Sequence, residues 1–269
     1  MLFGSKAPAG PRGHRAYAVG DIHGRLDLLD QLLARIEADA AARAKAKTTL
    51  VFLGDLIDRG PQSAQVIERL RTYRPRSTRV TFLMGNHEEV LLRLLAGEYS
   101  LLADWLRFGG AQCAESYGVK APELRRAEPA RALQMLREAV PKSHVKFLQG
   151  FADTASFGAY LFVHAGLRPG LPLASQSKAD LRWIRHPFLE DGSDHGHIVV
   201  HGHTISEQVE IRPNRIGIDT GAYRSGILTA LAIEGGERWL IQTDGRLADA
   251  EDGACKDPAD SRFANVAEA

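Results

Sequence analysis

The chain has 269 residues, 44% of them apolar and 25% charged, the profile of an ordinary globular protein long enough to bury a substantial core. Lysine and arginine number 34 against 33 aspartate and glutamate, a balance that argues against a nucleic-acid backbone or an anionic membrane as main partner. Two cysteines, Cys113 and Cys255, are too few for a disulfide framework or a zinc ribbon, and no run has signal-peptide or membrane-span length, so a reducing cytoplasm is the expected setting.

Residues 1–14 read as a loose leader, followed by a single catalytic domain over 15–245. From residue 16 a short apolar run, a glycine-containing polar turn and an amphipathic helix recur three times before residue 97. The runs, 16–19, 50–53 and 80–84, lack polar alternation, which suits parallel strands covered on both faces in an α/β arrangement. Leu26, Leu29, Leu33 and Ile36 mark the buried face of the first helix, and Ala64, Ile67 and Leu70 that of the second.

Residues 98–150 are helical in pattern, interrupted at Phe108-Gly109-Gly110 and Pro122, and read as a cap or insert without chemistry of its own. Trp105 and Phe108, at helical spacing, read as core. Strands return at 160–163, 197–200, 215–218, 227–233 and 239–242, most with connections too short for crossover helices, so a second, largely antiparallel or mixed sheet is predicted. The segment 246–269 is polar, rich in small residues and aperiodic, and is expected to be a flexible tail.

Each of the first three predicted strands ends in charged or metal-competent residues. In open parallel sheets ligands bind beyond the carboxyl ends of strands, so the turns GDIHG, GDLIDRG and GNHEE should meet at one crevice. Across the chain five strand ends supply Asp21 with His23, Asp55, Asn86, His164 and His203. Carboxylate, amide oxygen and imidazole without thiolate suit Mn, Fe, Zn or Mg, with Mn²⁺ favoured here, rather than a closed structural zinc site. Six such ligands exceed one tetrahedral site and match two metals sharing a carboxylate, for which Asp55 is the candidate. Two divalent ions held by so few negative charges leave a cationic pocket that prefers a phosphate dianion. Glu88 and Glu89 read as the acidic first turn of a helix, and His186, His195, His197 and His201 as exposed or packed side chains.

These segments resemble the phosphoprotein phosphatases of the metallophosphoesterase superfamily, most closely the small bacterial and phage lambda-type members. The matching stretches are GDIHG (20–24), GDLIDRG (54–60), GNHE (85–88), HAG (164–166) and GHT (202–204), supported by LRWIR (181–185) and IDTGA (218–222). The resemblance implies a four-layer fold, two packed sheets with helices outside. It also implies Asp21 and His23 on one metal, Asp55 on both, and Asn86, His164 and His203 on the second. By the same likeness a metal-bridging hydroxide attacks phosphorus, His87 is the general acid supported by Asp58, and Arg59 and Arg185 bind the phosphate.

On this reading the first expectation is a serine/threonine protein phosphatase acting on phosphoproteins or small phosphoesters. Symmetrical diadenosine tetraphosphatases are the near alternative; they typically carry GNHD and lack the Asp58 equivalent. An inactive metal-binding scaffold is the third. The sequence leaves the oligomeric state open.

Overall fold

A computed structural model describes residues 8–245, so the tail expected over 246–269 and the first half of the expected leader lie outside the described residues. From residue 8 onward that leader is tied down: Gly10 donates its N–H to Gly235 O at 2.7 Å, Ala159 N–H reaches Ala9 O at 3.0 Å, and Lys47 N–H reaches Gly13 O at 2.9 Å.

Three βα units open the chain: β1 (His14–Val19) and α1 (Leu26–Ala42), β2 (Lys47–Phe52) and α2 (Ser63–Arg71), β3 (Thr78–Phe82) and α3 (Asn86–Ala96). The insert follows as short helices α4 (Leu102–Trp105), α5 (Ala111–Ser116), α6 (Ala121–Arg126), α7 (Pro129–Ala139) and α8 (Lys142–Gln149). The second half runs through β4 (Thr154–Phe157), β5 (Tyr160–Val163), α9 (Lys178–Trp183), β6 (Ile198–His201), β7 (Glu210–Ile211), β8 (Arg215–Gly217), α10 (Ala222–Ser225), β9 (Thr229–Glu234) and β10 (Glu237–Gln242).

The strands form two five-stranded sheets, ordered β10-β9-β1-β2-β3 and β4-β5-β6-β8-β7. As expected, β1, β2 and β3 are mutually parallel. The predicted strands at 227–233 and 239–242 do not join the second sheet. They form β9, which pairs antiparallel with β1, and β10, which pairs antiparallel with β9 at the edge of the first sheet. A tight hairpin links them, and local sequence does not choose which exposed edge such a hairpin completes. The second sheet is mixed: β5, β6 and β8 are parallel, with β4 and β7 antiparallel at its edges.

Alternation along each strand sorts side chains into layers. On β1, Ala16 and Ala18 face the second sheet and pack with Phe162, Val200 and Ile216, whereas Tyr17 and Val19 face α1 and α2. On β5, Leu161 and Val163 point outward to Leu181 of α9. The order is therefore helix, sheet, sheet, helix. Burying each of these large apolar side chains contributes about 1.5–3 kcal/mol. The insert is no detached cap, because Trp105, Phe108, Leu133 and Leu136 share one core with Leu29, Ile57 and Val66.

Candidate metal centre

Both sheets deliver their parallel strands to one rim. The loop after β1 carries Asp21 and His23; that after β2 carries Asp55, Asp58 and Arg59; Gly85 precedes α3 with Asn86 and His87 in its first turn. From the second sheet come His164 after β5 and His203 after β6, and Arg185 follows α9. Backbone bonds knit these loops: Ile22 and His23 donate to Asp55 O at 3.0 and 2.9 Å, and Gly202 donates to His164 O at 2.9 Å.

The loops are held in a costly conformation. His23, Asp55, Asp58, Arg59 and His203 have φ of 46°, 49°, 69°, 66° and 64°, where a Cβ crowds the following carbonyl at about 1–2 kcal/mol per residue. Glu88 is the main restraint on the second loop. One oxygen accepts the N–H groups of Leu56 (2.8 Å) and Ile57 (3.3 Å), and the other those of Asp55 (2.9 Å) and Gly85 (3.1 Å). Glu88 is thus more than the acidic first turn of a helix: it shapes the loop that presents Asp55.

Asp55 faces both halves of the site. Its Oδ2 lies 3.6 Å from His23 Nε2 and its Oδ1 3.4 Å from His164 Nε2. Two buried sets of ligand atoms share it, His23–Asp55–His87 and Asp55–His164–His203, each within 4.8 Å. Asn86 Oδ1 stands 3.0 Å from both His164 Nε2 and His203 Nδ1. Asp21 Oδ2 accepts the His203 N–H at 3.0 Å, joining the first loop to the last.

The donor chemistry fits divalent cations. His23 Nδ1 is 2.8 Å from Ile57 O and His164 Nδ1 is 2.8 Å from Leu53 O; carbonyls only accept, so Nδ1 carries the proton and Nε2 presents a lone pair. His164 Nε2 therefore points lone pair to lone pair at Asn86 and Asp55, an arrangement a cation resolves. Asp21 Oδ1, Asp219 Oδ2 and His203 Nε2 are buried without a hydrogen-bond partner. Burial, with Asp219 and Asp55 nearby, pushes the Asp21 carboxyl well up. Burial also pushes Asp55 up, and the charged forms of His164, His87 and His23 pull it down, so that it titrates low while those imidazoles carry a proton. Burial keeps His23, His164 and His203 neutral, the form that ligates metal.

His87 differs. Its Nδ1 lies 2.7 Å from Asp58 Oδ2 and its Nε2 faces Asp55 at 3.9 Å. Burial lowers its pKa, yet the charge of Asp55 and the hydrogen bond to Asp58 raise it overall to about 8. Arg59 and Arg185 are both half-buried. The Arg59 charge bears on Asp21, His23 and Asp219, that of Arg185 on His164 and His203. The Arg59 guanidinium also sits 4.9 Å over the Tyr223 ring.

All ten expected site residues thus gather around one centre. Sequence reasoning passed over Asp219, whose Oδ1 accepts the Gly221 N–H at 2.9 Å after β8, although IDTGA ends a strand as the other motifs do. It read Glu88 only as the start of a helix, because the loop amides that Glu88 binds lie more than thirty residues away.

The calcineurin-like phosphoesterase family profile matches residues 14–224. A symmetrical bis(5'-nucleosyl)-tetraphosphatase of Hamiltonella defensa is 43% identical over 81 residues, 30% of this chain, which spans only 26% of that relative. Longer matches cover 79% of the chain and 88% of the asymmetrical bis(5'-nucleosyl)-tetraphosphatase PrpE of Anoxybacillus flavithermus at 28% identity. A symmetrical bis(5'-nucleosyl)-tetraphosphatase of Dechloromonas aromatica matches at 26% identity over 85% of the chain and 95% of its own length. Among solved structures, one described as a candidate diadenosine tetraphosphatase superposes with a TM-score of 0.59 at 22% identity, covering 88% of this chain and 98% of its own, and so shares the fold.

Proposed function

We propose, from the premise that the chain belongs to the calcineurin-like phosphoesterase family, that this metal-dependent phosphoesterase hydrolyses dinucleoside polyphosphates. The observation that carries the substrate class is the near full-length similarity to two bis(5'-nucleosyl)-tetraphosphatases. Two arginines whose charges bear on different ligands, Arg59 on Asp21 and His23 and Arg185 on His164 and His203, support it, since guanidinium groups match phosphate oxygens. This reverses the order suggested by GNHE and Asp58.

In this reading Asp21, His23 and Asp55 would hold one divalent ion, and Asp55, Asn86, His164 and His203 the other, and such ions would supply Lewis acidity at the site. Arg59 grips the reacting phosphoryl oxygens in the planar, paired manner that lysine cannot reproduce. His87 donates a proton to the departing oxygen, and Asp58 stabilises the imidazolium that makes this possible.

Phosphomonoester hydrolysis, including that of phosphoserine and phosphothreonine in proteins, is the second reading, and the Asp58–His87 pair favours it. A departing alkoxide needs a proton far more than a departing nucleotide phosphate does. The deciding experiment incubates the purified protein and Mn²⁺ with diadenosine tetraphosphate and, separately, with phosphoserine, phosphothreonine and phosphotyrosine peptides. A higher kcat/KM on the dinucleotide supports the first reading: two ADP mean symmetrical cleavage, AMP with ATP asymmetrical cleavage. A higher value on a peptide establishes the second, and turnover of neither overturns both.

A further inference from the structure

We propose that Trp105, carried by the helical insert, is a positioning residue for His87: its indole N–H holds the Asp58 carboxylate in the orientation that seats the imidazole, a role that rests on the general-acid reading of His87 given above. Asp58 is fully buried. Its Oδ2 accepts the Trp105 Nε1–H at 3.0 Å and faces His87 Nδ1 at 2.7 Å, so two N–H donors from separate parts of the chain share one oxygen.

Asp58 Oδ1 has no hydrogen-bond partner. Its N–H partners therefore all lie on Oδ2, and the Cys113 thiol is the other polar group beside the carboxylate. The terminal torsion of an aspartate is soft and roughly two-fold, so without the indole its orientation rests on the bond to His87 itself and on the Cys113 thiol. The Asp58 backbone is pinned separately, by its N–H to Ser63 Oγ at 2.9 Å. That bond holds the main chain and leaves the side-chain torsion free.

A buried indole N–H usually finds some acceptor, and a structural tryptophan would be satisfied by any carbonyl. Here the surrounding chain is shaped to deliver it to this carboxylate. The helical path breaks just after Trp105, at Phe108 and at Gly109 with φ 111°. At that break Gly109 O accepts the Arg59 N–H at 3.0 Å, and a Cβ on Gly109 would fall 2.5 Å from Arg59 N. A Cβ on Gly110 would overlap the Trp105 ring itself. One turn further on, Ser116 Oγ accepts the Ala64 N–H at 3.0 Å. The insert thus grips the loop that carries Asp58 and Arg59, and the α2 helix after it, at several points, and the Trp105 N–H ends on the Asp58 carboxylate itself.

Trp105→Phe keeps the ring volume and removes the N–H. With metal content and thermal midpoint matched to wild type, kcat on phenyl phosphate is expected to fall about tenfold while p-nitrophenyl phosphate, whose leaving group needs less protonation, changes less than about threefold, with KM unchanged on both. Proton NMR gives a readout that needs no turnover: the hydrogen-bonded Nδ1 proton of His87, assigned by its absence in His87→Gln, should shift and exchange faster with water in Trp105→Phe. Gly110→Ala, which displaces the indole without altering it, should reproduce both effects. Equal losses on the two esters, or an imidazole proton unchanged in Trp105→Phe, overturn the proposal. Should His87→Gln itself slow both esters equally, the general-acid reading fails instead, and the imidazole proton alone decides whether Trp105 positions the ring.

Discussion

Glu88 reaches from the first turn of α3 to Leu56 in the neighbouring loop, accepting its backbone N–H at 2.8 Å, while its second oxygen takes the N–H of Asp55 at 2.9 Å. One carboxylate thereby sets the backbone of the segment that turns Asp55 inward. Glu88→Ala leaves these buried donors unmatched and is expected to destabilise the fold by about 3 kcal/mol or more. Glu88→Asp, one methylene shorter, should fall between. Urea unfolding at constant metal concentration measures both, and a loss below about 1 kcal/mol in the alanine variant would remove the clamp role.

Asp55 contributes to both ligand sets, whereas His23 belongs to one. Asp55→Asn is therefore expected to abolish activity and deplete both metals. His23→Ala should lower metal content towards one ion per chain. Elemental analysis after desalting separates the cases, and retention of two ions by Asp55→Asn contradicts the bridging role.

His87 stands beside Asp58 at 2.7 Å with its charged form favoured. A general acid of this kind contributes about 10²–10⁴-fold. His87→Ala is expected to slow hydrolysis of an alkyl phosphate by that order and p-nitrophenyl phosphate by about tenfold or less. Equal losses on the two esters mean that His87 binds substrate rather than donating a proton.

Far from the centre, Glu210 accepts from Arg215 at 2.7 Å and Arg212 at 2.9 Å. The Arg215 hydrogen bond chiefly lowers its pKa to about 2, against burial that raises it. A depressed carboxylate pKa stabilises the fold above the ordinary value of 4.5 and stops doing so as pH falls through about 2. Because Glu210 is partly exposed, screening limits the effect to about 1 kcal/mol. Glu210→Gln should be less stable than wild type at pH 7, with the difference shrinking between about pH 5 and pH 2 in parallel melts. A difference independent of pH would assign the loss to packing.

Local chemistry explains what was legible beforehand. Apolar runs ending in Asp55 or His164 mark strands that run into buried polar groups, which are stable only where a partner or a metal compensates them. Glycine-flanked motifs at several strand ends therefore disclosed the ligands before any geometry was known. The pairing of β9 with β1 was not legible, because its Ala- and Leu-rich run fits either sheet equally well. Asp219 escaped notice because an aspartate followed by Thr220 and Gly221 also reads as an ordinary turn.

By itself the sequence determined the class of the chain, the ends of its parallel strands and the ligand types gathered at them, since periodicity and side-chain chemistry are properties of neighbouring residues. Only the tertiary structure decided that Glu88 clamps the Asp55 loop, that the Arg59 charge bears on Asp21 and that of Arg185 on His203, and that the insert brings Trp105 to Asp58 across 47 positions of chain. Such contacts arise when separate elements close around a common core, where the cost of burying a polar group selects a partner that no local pattern encodes.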